Sequence, residues 1–311
     1  MDPSLNHHPS AWRGKELFAS RFWEQELTLE QFLAPSDEWI GEVREELEEG
    51  RGAVLLKGSG LAGAANPLSD EFLQFCSAIG TPVSQSASGE KVFSVRNEGY
   101  ASDDPRARGP NTRKKLTFHT DRCDVIAFLC LKPAKSGGEN QVVSSLALYN
   151  EMLRSRPDLV EVLCQPFFYQ RHNVDLGNEL PYTRQPVFSF FEGVFASNFL
   201  RVLIERAYSG NGVPPMTDLQ REALDTLEEL AEDPELHVTF RQEEGDILLL
   251  NNWITYHRRF EFEDFPETRR RRHILRVWLS MPNSRAIDPL FAGNYGATGA
   301  GEIRGGMKAR T

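Results

Sequence analysis

The sequence predicts a mainly β fold with helical decoration, either a sandwich or a barrel. Short apolar runs recur along the chain, glycine turns such as Glu192-Gly193 separate several of them, and the strands bracket the helical segments. A doubly wound parallel sheet is the alternative fold. It has less support because no glycine-rich phosphate loop follows a strand, and Gly58-Ser59-Gly60 lacks the third glycine in the required place.

The first elements are a loose tail, two helices and a buried strand between them. Residues 1–15 have no clear pattern, and Ser36 then caps a helix that ends at Gly50. The apolar run 53–56 predicts a short buried strand. A second helix begins at Ser69, since large apolar residues recur there with helical spacing.

The second half returns from helices to strands. Residues 145–163 predict one or two helices, and Thr217 caps another that runs to about residue 230. Strand patterns follow in LHVTFRQ, GDILLLNN and RRHILRVWLS, and residues 283–311 are predicted to be a loose, glycine-rich tail. The polar loop 97–113 is rich in turn residues; it is either an active-site lid or a surface excursion.

Composition and charge limit the partners and the compartment. The chain has 311 residues, 40% of them hydrophobic and 26% charged, which is the balance of a globular protein with a real core. A net charge of −10 argues against nucleic acid or an anionic membrane as the main partner. We see no signal peptide and no apolar run long enough to span a bilayer, so a cytoplasmic protein is expected. Homo-oligomer formation stays open.

The four cysteines form no CxxC motif, and three of them lie in apolar surroundings. This pattern indicates buried free thiols in a reducing cytosol, and neither a disulfide framework nor a zinc knuckle. The four residues are Cys76, Cys123, Cys130 and Cys164.

The segment LTFHTDRCD, residues 116–124, places two possible metal ligands close together. If it is a strand, His119 and Asp121 point to the same side, about 6–7 Å apart along the chain. His257 follows the strand pattern of GDILLLNN and could supply a third ligand. Two imidazoles and one carboxylate bind one face of Fe(II) and leave positions open, whereas zinc prefers four ligands, or three and a water. A salt-bridged pair on a solvated face is the simpler alternative for 119–121.

Two arginines share one side of the last strand pattern. In a strand, Arg272, Ile274 and Arg276 of RRHILRVWLS lie on one face, and most of the residues around them are apolar. Guanidinium groups inside an apolar strand are costly unless each meets an anion. The pair therefore predicts two anionic groups, or one anion and one protein carboxylate.

The order of these motifs resembles the TauD/TfdA family of Fe(II)- and 2-oxoglutarate-dependent dioxygenases. FHTD, SGGEN, GDILLLNNWITYHRR and RRHILRVWLS occur in the family's order, over roughly residues 45–282. HxD alone is common by chance, but the ordered combination is specific. The resemblance implies a clavaminate synthase-like double-stranded β-helix, or jelly roll, with residues 1–311 as one catalytic domain.

The resemblance also implies roles for individual residues. His119, Asp121 and His257 would be the catalytic iron ligands. Arg272 would bind the distal carboxylate of the cosubstrate 2-oxoglutarate, and Arg276 stands where family members often bind an anionic group of the substrate.

Two further positions are weaker candidates. Asn140 stands where the family has a threonine that contacts 2-oxoglutarate, and its amide can still donate a hydrogen bond. Gln85 lies before the 97–113 loop and is a candidate substrate contact, although a turn residue is the simpler interpretation.

The implied reaction uses Fe(II), 2-oxoglutarate and O2. Oxidative decarboxylation of 2-oxoglutarate to succinate is coupled to C–H oxidation, with hydroxylation preferred. Arg276 indicates a small anionic or carboxylate-bearing substrate, such as an amino acid or a natural-product intermediate. Desaturation, cyclisation or demethylation would use the same chemistry. A zinc hydrolase and a non-catalytic jelly-roll binding protein are the alternatives from other classes.

Overall fold

The computed structural model of the chain describes residues 7–62, 68–100, 109–171 and 181–307. The strands, β1 to β16 in chain order, are Trp23–Glu26, Ala53–Lys57, Thr81–Val83, Val92–Val95, Val125–Lys132, Ser136–Gly137, Asn140–Ser144, Phe167–Gln170, Tyr182–Gln185, Phe188–Phe191, Val194–Ser197, His237–Phe240, Ile247–Asn251, Thr255–Arg259, Phe262–Glu263 and His273–Ser280. The α-helices, α1 to α8, are Leu29–Leu33, Asp37–Glu48, Ser69–Ile79, Ser145–Ser155, Pro157–Leu163, Arg201–Tyr208, Asp218–Ala231 and Ala292–Tyr295.

The larger sheet has seven strands in the order β1-β2-β13-β5-β16-β3, and β4 also pairs with β16. Every pairing in it is antiparallel except that of β1 with β2. Alternation along β16 gives the sheet two apolar faces. Leu275 and Val277 join the core formed with α2 and α3, whereas Ile274 and Trp278 belong to clusters on the opposite face.

A smaller sheet, β12-β7-β14, covers that opposite face. Val142 and Val238 of the smaller sheet pack in one buried cluster with Leu55 and Leu248 of the larger one. The outer side of the smaller sheet packs against α4, α5 and α7. Two facing, mainly antiparallel sheets with helices outside them confirm the predicted jelly roll, and the parallel doubly wound alternative is wrong.

The capped helices lie where their sequence signals predict them. The Ser36 hydroxyl accepts a hydrogen bond from the Trp39 backbone N–H, and Thr217 caps α7 in the same way. The four cysteines are free, and three of them are buried. No helix in the described ranges is long and apolar enough to cross a bilayer.

Both predicted loose tails differ from the structure where it describes them. Trp12, inside the predicted tail 1–15, is buried against the core. Its indole N–H donates to the carbonyl oxygen of Arg51 at 2.9 Å, so the buried ring keeps a hydrogen-bond partner. In the predicted tail 283–311, the described residues 283–307 pack onto the sheets and bury Phe291 and Arg304. Of the loop 97–113, residues 101–108 lie outside the described ranges, so the lid stays a prediction.

Candidate active site

The three predicted metal ligands meet between the two sheets. His119 forms an isolated antiparallel bridge with His257 of β14, in which each backbone N–H donates to the other residue's carbonyl oxygen at 3.0 Å. One ligand atom from each of His119, Asp121 and His257 lies within 4.8 Å of the other two. The imidazole centroids are 4.6 Å apart.

The local structure that orients Asp121 is not the predicted strand. Only His119 pairs, and the chain then bends, so that the Cys123 N–H donates to the Asp121 carbonyl oxygen at 3.0 Å. The Asp121 backbone N–H donates to the side-chain oxygen of Asn252 at 2.9 Å. This contact across the fold, and not the period of a strand, therefore fixes the backbone from which the Asp121 carboxylate projects.

One oxygen of the Asp121 carboxylate is held by the larger sheet. Oδ2 accepts hydrogen bonds from Arg276 Nη1 at 3.1 Å and from Trp278 Nε1 at 3.3 Å. Burial alone would raise the pKa of this carboxyl, but Arg276, the two imidazoles and Trp278 outweigh burial and hold the pKa below its ordinary value. Asp121 is therefore ionised at neutral pH, as a metal ligand must be.

Both imidazoles are suited to binding a metal. His119 Nδ1 lies 2.9 Å from the carbonyl oxygen of Thr117, which fixes Nδ1 as the protonated nitrogen and leaves Nε2 its lone pair. Burial, followed by the nearby His119, lowers the pKa of His257 to about 3, so this ring is neutral. Its buried Nδ1 has no hydrogen-bond partner in the described part of the chain. Two nitrogen donors and one carboxylate on one side of a site fit a non-haem iron ion.

A second feature of the site is a buried guanidinium that forms no salt bridge within the described part of the chain. Arg272 is 7% exposed, and no described residue accepts a hydrogen bond from its side chain, which lies over the Phe262 ring at 5.1 Å. Burial lowers its pKa to about 10, although Cys130 and Asp264 oppose this shift. The Arg272 side chain lines a small pocket that fits the carboxylate end of a ligand.

Asn140 lines the same pocket as Arg272, as the position of SGGEN in the sequence implies. Its Nδ2 donates to the side-chain oxygen of Gln242 at 3.1 Å, and Gln242 also lines the pocket. The contact of Asn140 with 2-oxoglutarate stays a prediction.

Gln85 occupies a different position from the one predicted for a substrate contact. Its side chain is 1% exposed; Oε1 accepts from Arg276 Nε at 2.7 Å, and Nε2 donates to the carbonyl oxygens of Arg276 and Lys91 at 2.8 and 2.9 Å. These three bonds use the carboxamide within the protein. Gln85 therefore positions Arg276, and substrate contact is not supported.

Two residues of the site were missed from the sequence, although each had a signal. Asn252 interrupts an apolar run in GDILLLNNW, and an amide in such a place usually satisfies a buried backbone group. Trp278 follows Arg276 by two residues, so the period of a strand places it on the same face.

Comparison with known proteins agrees with this geometry. The family model described as "Taurine catabolism dioxygenase TauD, TfdA family" matches residues 14–278. FR-33289 synthase from Streptomyces rubellomurinus (strain ATCC 31215) is 32% identical over 278 residues, which cover 86% of this chain and 82% of the relative. A uridine-5'-phosphate dioxygenase from an Amycolatopsis species is 29% identical over 149 residues, 48% of this chain and 52% of the relative.

Solved structures support the fold. An asparagine oxygenase superposes with a TM-score of 0.61 at 18% identity, covering 91% of this chain and 100% of the other. The non-haem iron oxygenase OrfP, in complex with Fe and α-ketoglutaric acid, gives 0.59 at 14% identity, with 90% and 93% coverage. Together with the family match, this likeness identifies the chain as a member of the TauD/TfdA family of 2-oxoglutarate-dependent non-haem iron dioxygenases.

Proposed function

We propose that His119, Asp121 and His257 hold the iron of this dioxygenase and that Arg272 binds the distal carboxylate of 2-oxoglutarate. The observation that carries the proposal is the group of three ligand atoms, all within 4.8 Å of one another. Arg272 adds to it a buried guanidinium that forms no salt bridge with any described residue. Family membership leaves the zinc-hydrolase and non-catalytic interpretations without support.

Iron and 2-oxoglutarate supply the oxidising chemistry when bound, in which O2 converts 2-oxoglutarate to succinate and carbon dioxide and oxidises a C–H bond of the substrate. The protein's own residues hold the bound groups in position and neutralise their charges. Two imidazoles and one ionised carboxylate place their ligand atoms around one point, and Arg272 would neutralise a carboxylate in the pocket that it lines. The apolar layers around β5 and β16 limit the access of water.

The substrate we propose is a small, anionic, amino-acid-like molecule that is hydroxylated. Arg276 uses Nε for Gln85 and Nη1 for Asp121, and no described residue accepts a hydrogen bond from Nη2. This free donor could bind a substrate carboxylate. Solved relatives support the class: the titles name an asparagine oxygenase with 3-hydroxyasparagine and succinate, and OrfP with hydroxylated arginines. We further propose that residues 97–113 are a lid and that the chain is one catalytic domain.

A spectroscopic titration tests the cofactor assignment. Metal-free protein is titrated anaerobically with Fe(II) and then with 2-oxoglutarate, and the visible spectrum is recorded. We expect a weak charge-transfer band that requires both additions and is lost in His119→Ala. His237→Gln is the matched control, because the ring nitrogens of His237 bond to Gln141 and Ala231 and to none of the three proposed ligands. Absence of the band from the wild type, or its persistence in His119→Ala, would contradict the assignment.

A second assay addresses the substrate. Iron-loaded protein is incubated with 2-oxoglutarate, O2 and either small amino acids with one or two carboxylates or uncharged analogues whose amine and carboxylate are blocked as amides, and succinate and oxidised product are measured together. Equimolar succinate and hydroxylated product identify a substrate. Turnover of only uncharged compounds would contradict the anionic class while leaving the cofactor assignment intact.

A further inference from the structure

The C-terminal segment 294–307, here called the strap, lies against the loop that carries Asp121. The Gly306 N–H donates to the carbonyl oxygen of Arg122 at 2.8 Å, and Arg122 Nε donates to the Gly306 carbonyl oxygen at 2.7 Å. Gly305 has a φ of +79°, and a Cβ there would lie 2.7 Å from the Arg122 carbonyl oxygen. The strap therefore follows the backbone of the metal-binding loop closely, and it lies beyond the residues matched by the family model.

A fully buried ion pair anchors the strap. Arg304 Nε and Asp124 Oδ1 are 2.6 Å apart, and both side chains are 0% exposed. Three further donors bind the Asp124 carboxylate: Trp253 Nε1 donates to Oδ1 at 2.8 Å, and the Met281 N–H and Ser280 Oγ donate to Oδ2 at 2.9 and 3.3 Å. Removal of one partner of such a pair leaves a buried charge uncompensated, so the loop and the strap depend on each other.

Asp124 is also connected to the metal ligand itself. Its carbonyl oxygen accepts from the Asn252 N–H at 2.9 Å, and the Asn252 side-chain oxygen accepts from the Asp121 N–H at 2.9 Å. From the strap, the Tyr295 hydroxyl donates to the Asp121 carbonyl oxygen at 3.4 Å. The strap thus restrains Asp121 by two routes.

We propose that Arg304 is a positioning residue for the iron ligand Asp121, acting through Asp124 and Asn252. This inference rests on the proposal that Asp121 binds iron. Residues that hold a metal ligand in place contribute to metal affinity by reducing the freedom that the ligand loses on binding, and their loss weakens binding by about 10- to 100-fold. We therefore expect Arg304 to influence iron affinity without touching the metal.

The structure offers a closely matched control pair. Arg285 Nε lies 2.6 Å from Glu48 Oε1, with side chains that are 8% and 4% exposed. Arg285 donates to the backbone carbonyl oxygens of Phe195 and Glu48, much as Arg304 donates to those of Gly299 and Arg285. Its carboxylate partner, Glu48, belongs to α2 and not to the metal-binding loop. Glu48 uses its other oxygen, Oε2, to accept from Asn251 Nδ2 at 3.0 Å, and this bond does not need Arg285, so loss of the pair should lower stability while leaving Asp121 in place.

The test compares Arg304→Met with Arg285→Met. For the wild type and both variants, the unfolding temperature is recorded first. The dissociation constant for Fe(II) alone is then measured by anaerobic calorimetry at a temperature well below unfolding. We expect both variants to melt earlier, but only Arg304→Met to bind Fe(II) about 10-fold or more weakly. If a methionine variant does not fold, Arg304→Lys and Arg285→Lys give the same comparison.

The outcomes separate the two proposals. If the wild type does not bind Fe(II), the proposed iron site fails. If the wild type binds and the Arg304 and Arg285 variants have equal affinities, Arg304 is only a stabilising residue and the positioning role is overturned.

Discussion

Arg272, the residue just before β16, and Arg276, within β16, differ in which group neutralises their charge. Arg276 lies 3.1 Å from the Asp121 carboxylate, so a protein anion balances its charge. Arg272 is equally buried, yet the described residues provide its guanidinium with no hydrogen-bond acceptor. Because an unpaired cation in an apolar setting is costly, the proposal that Arg272 binds the carboxylate of 2-oxoglutarate would supply the anion that the described residues do not.

We expect Arg272→Ala to weaken 2-oxoglutarate binding strongly. Loss of a charge-assisted contact costs about 2–3 kcal/mol, roughly a 30- to 150-fold rise in the dissociation constant. The constant is measured from the charge-transfer band of the Fe(II)-loaded protein under anaerobic conditions. Arg271→Ala is the control, since Arg271 is adjacent but exposed. Equal constants for both variants would transfer the role to another cation.

At the scale of single elements, the end of β14 joins the metal site to the base of the predicted lid. His257 lies on this strand, and two residues later Arg259 Nη2 donates to the carbonyl oxygens of Thr112 at 2.8 Å and Gly109 at 3.4 Å. The Leu116 N–H donates to the Arg259 carbonyl oxygen at 3.0 Å. A strand of the sheet therefore fixes residues 109–116, which lead into His119.

Arg259→Met should loosen this segment, because Gly109 and Thr112 lose their shared donor. Arg113, Lys114 and Lys115 are exposed, so limited trypsin digestion reports the loosening directly. A loss of about 1–2 kcal/mol of local stability corresponds to roughly 5- to 30-fold faster cleavage at these residues. Arg96→Met, which removes an exposed arginine paired with Glu98, should leave the rate unchanged. Unchanged cleavage in Arg259→Met would show that the segment is held by other contacts.

Signals within a few residues of one another predicted helix starts correctly. The predictions that were wrong concern segments whose structure depends on residues distant in sequence. The helices α2 and α7 begin where predicted because Ser36 and Thr217 act within three residues of themselves. The strand predicted around His119 is wrong because Asn252, 131 positions away, turns the backbone at Asp121. The C-terminal residues 283–307 pack onto the sheets and do not form a loose tail, because Arg304 pairs with the carboxylate of Asp124, 180 positions earlier.

For the whole molecule, the order of the motifs indicated the fold, and the jelly roll brings together His119, Asp121 and His257, the residues proposed to bind the metal. The sequence could not predict which anion pairs with Arg272 and which with Arg276. The register of β16 against β5 and β4 determines where Arg276 lies along the sheet, and it places Arg276 beside Asp121.

The histidines distant from the metal ligands make the folded protein sensitive to acid. Burial lowers the pKa of His8, His237 and His273 in the folded state, with a smaller contribution from Arg285 at His8 and from Arg96 at His273. At His237, Nδ1 lies 3.0 Å from the Ala231 carbonyl oxygen, a contact that partly opposes the effect of burial on the pKa, and Nε2 accepts from Gln141 Nε2 at 2.8 Å. Protonation of Nε2 would break the second bond.

The unfolded chain, in which histidine has its ordinary pKa of about 6.5, therefore binds more protons than the folded chain below that pH. The contribution of these histidines to the free energy of unfolding is fully present above pH 6.5. It is lost as the pH falls towards the lowered pKa values of the folded state, by up to about 1.4 kcal/mol per pH unit for each histidine. Urea unfolding of the metal-free protein at pH 7, 6 and 5 measures this loss. His237→Gln keeps an acceptor for Gln141 but cannot titrate, so its free energy of unfolding should fall less steeply with pH than that of the wild type. Parallel pH profiles would mean that His237 titrates alike in both states.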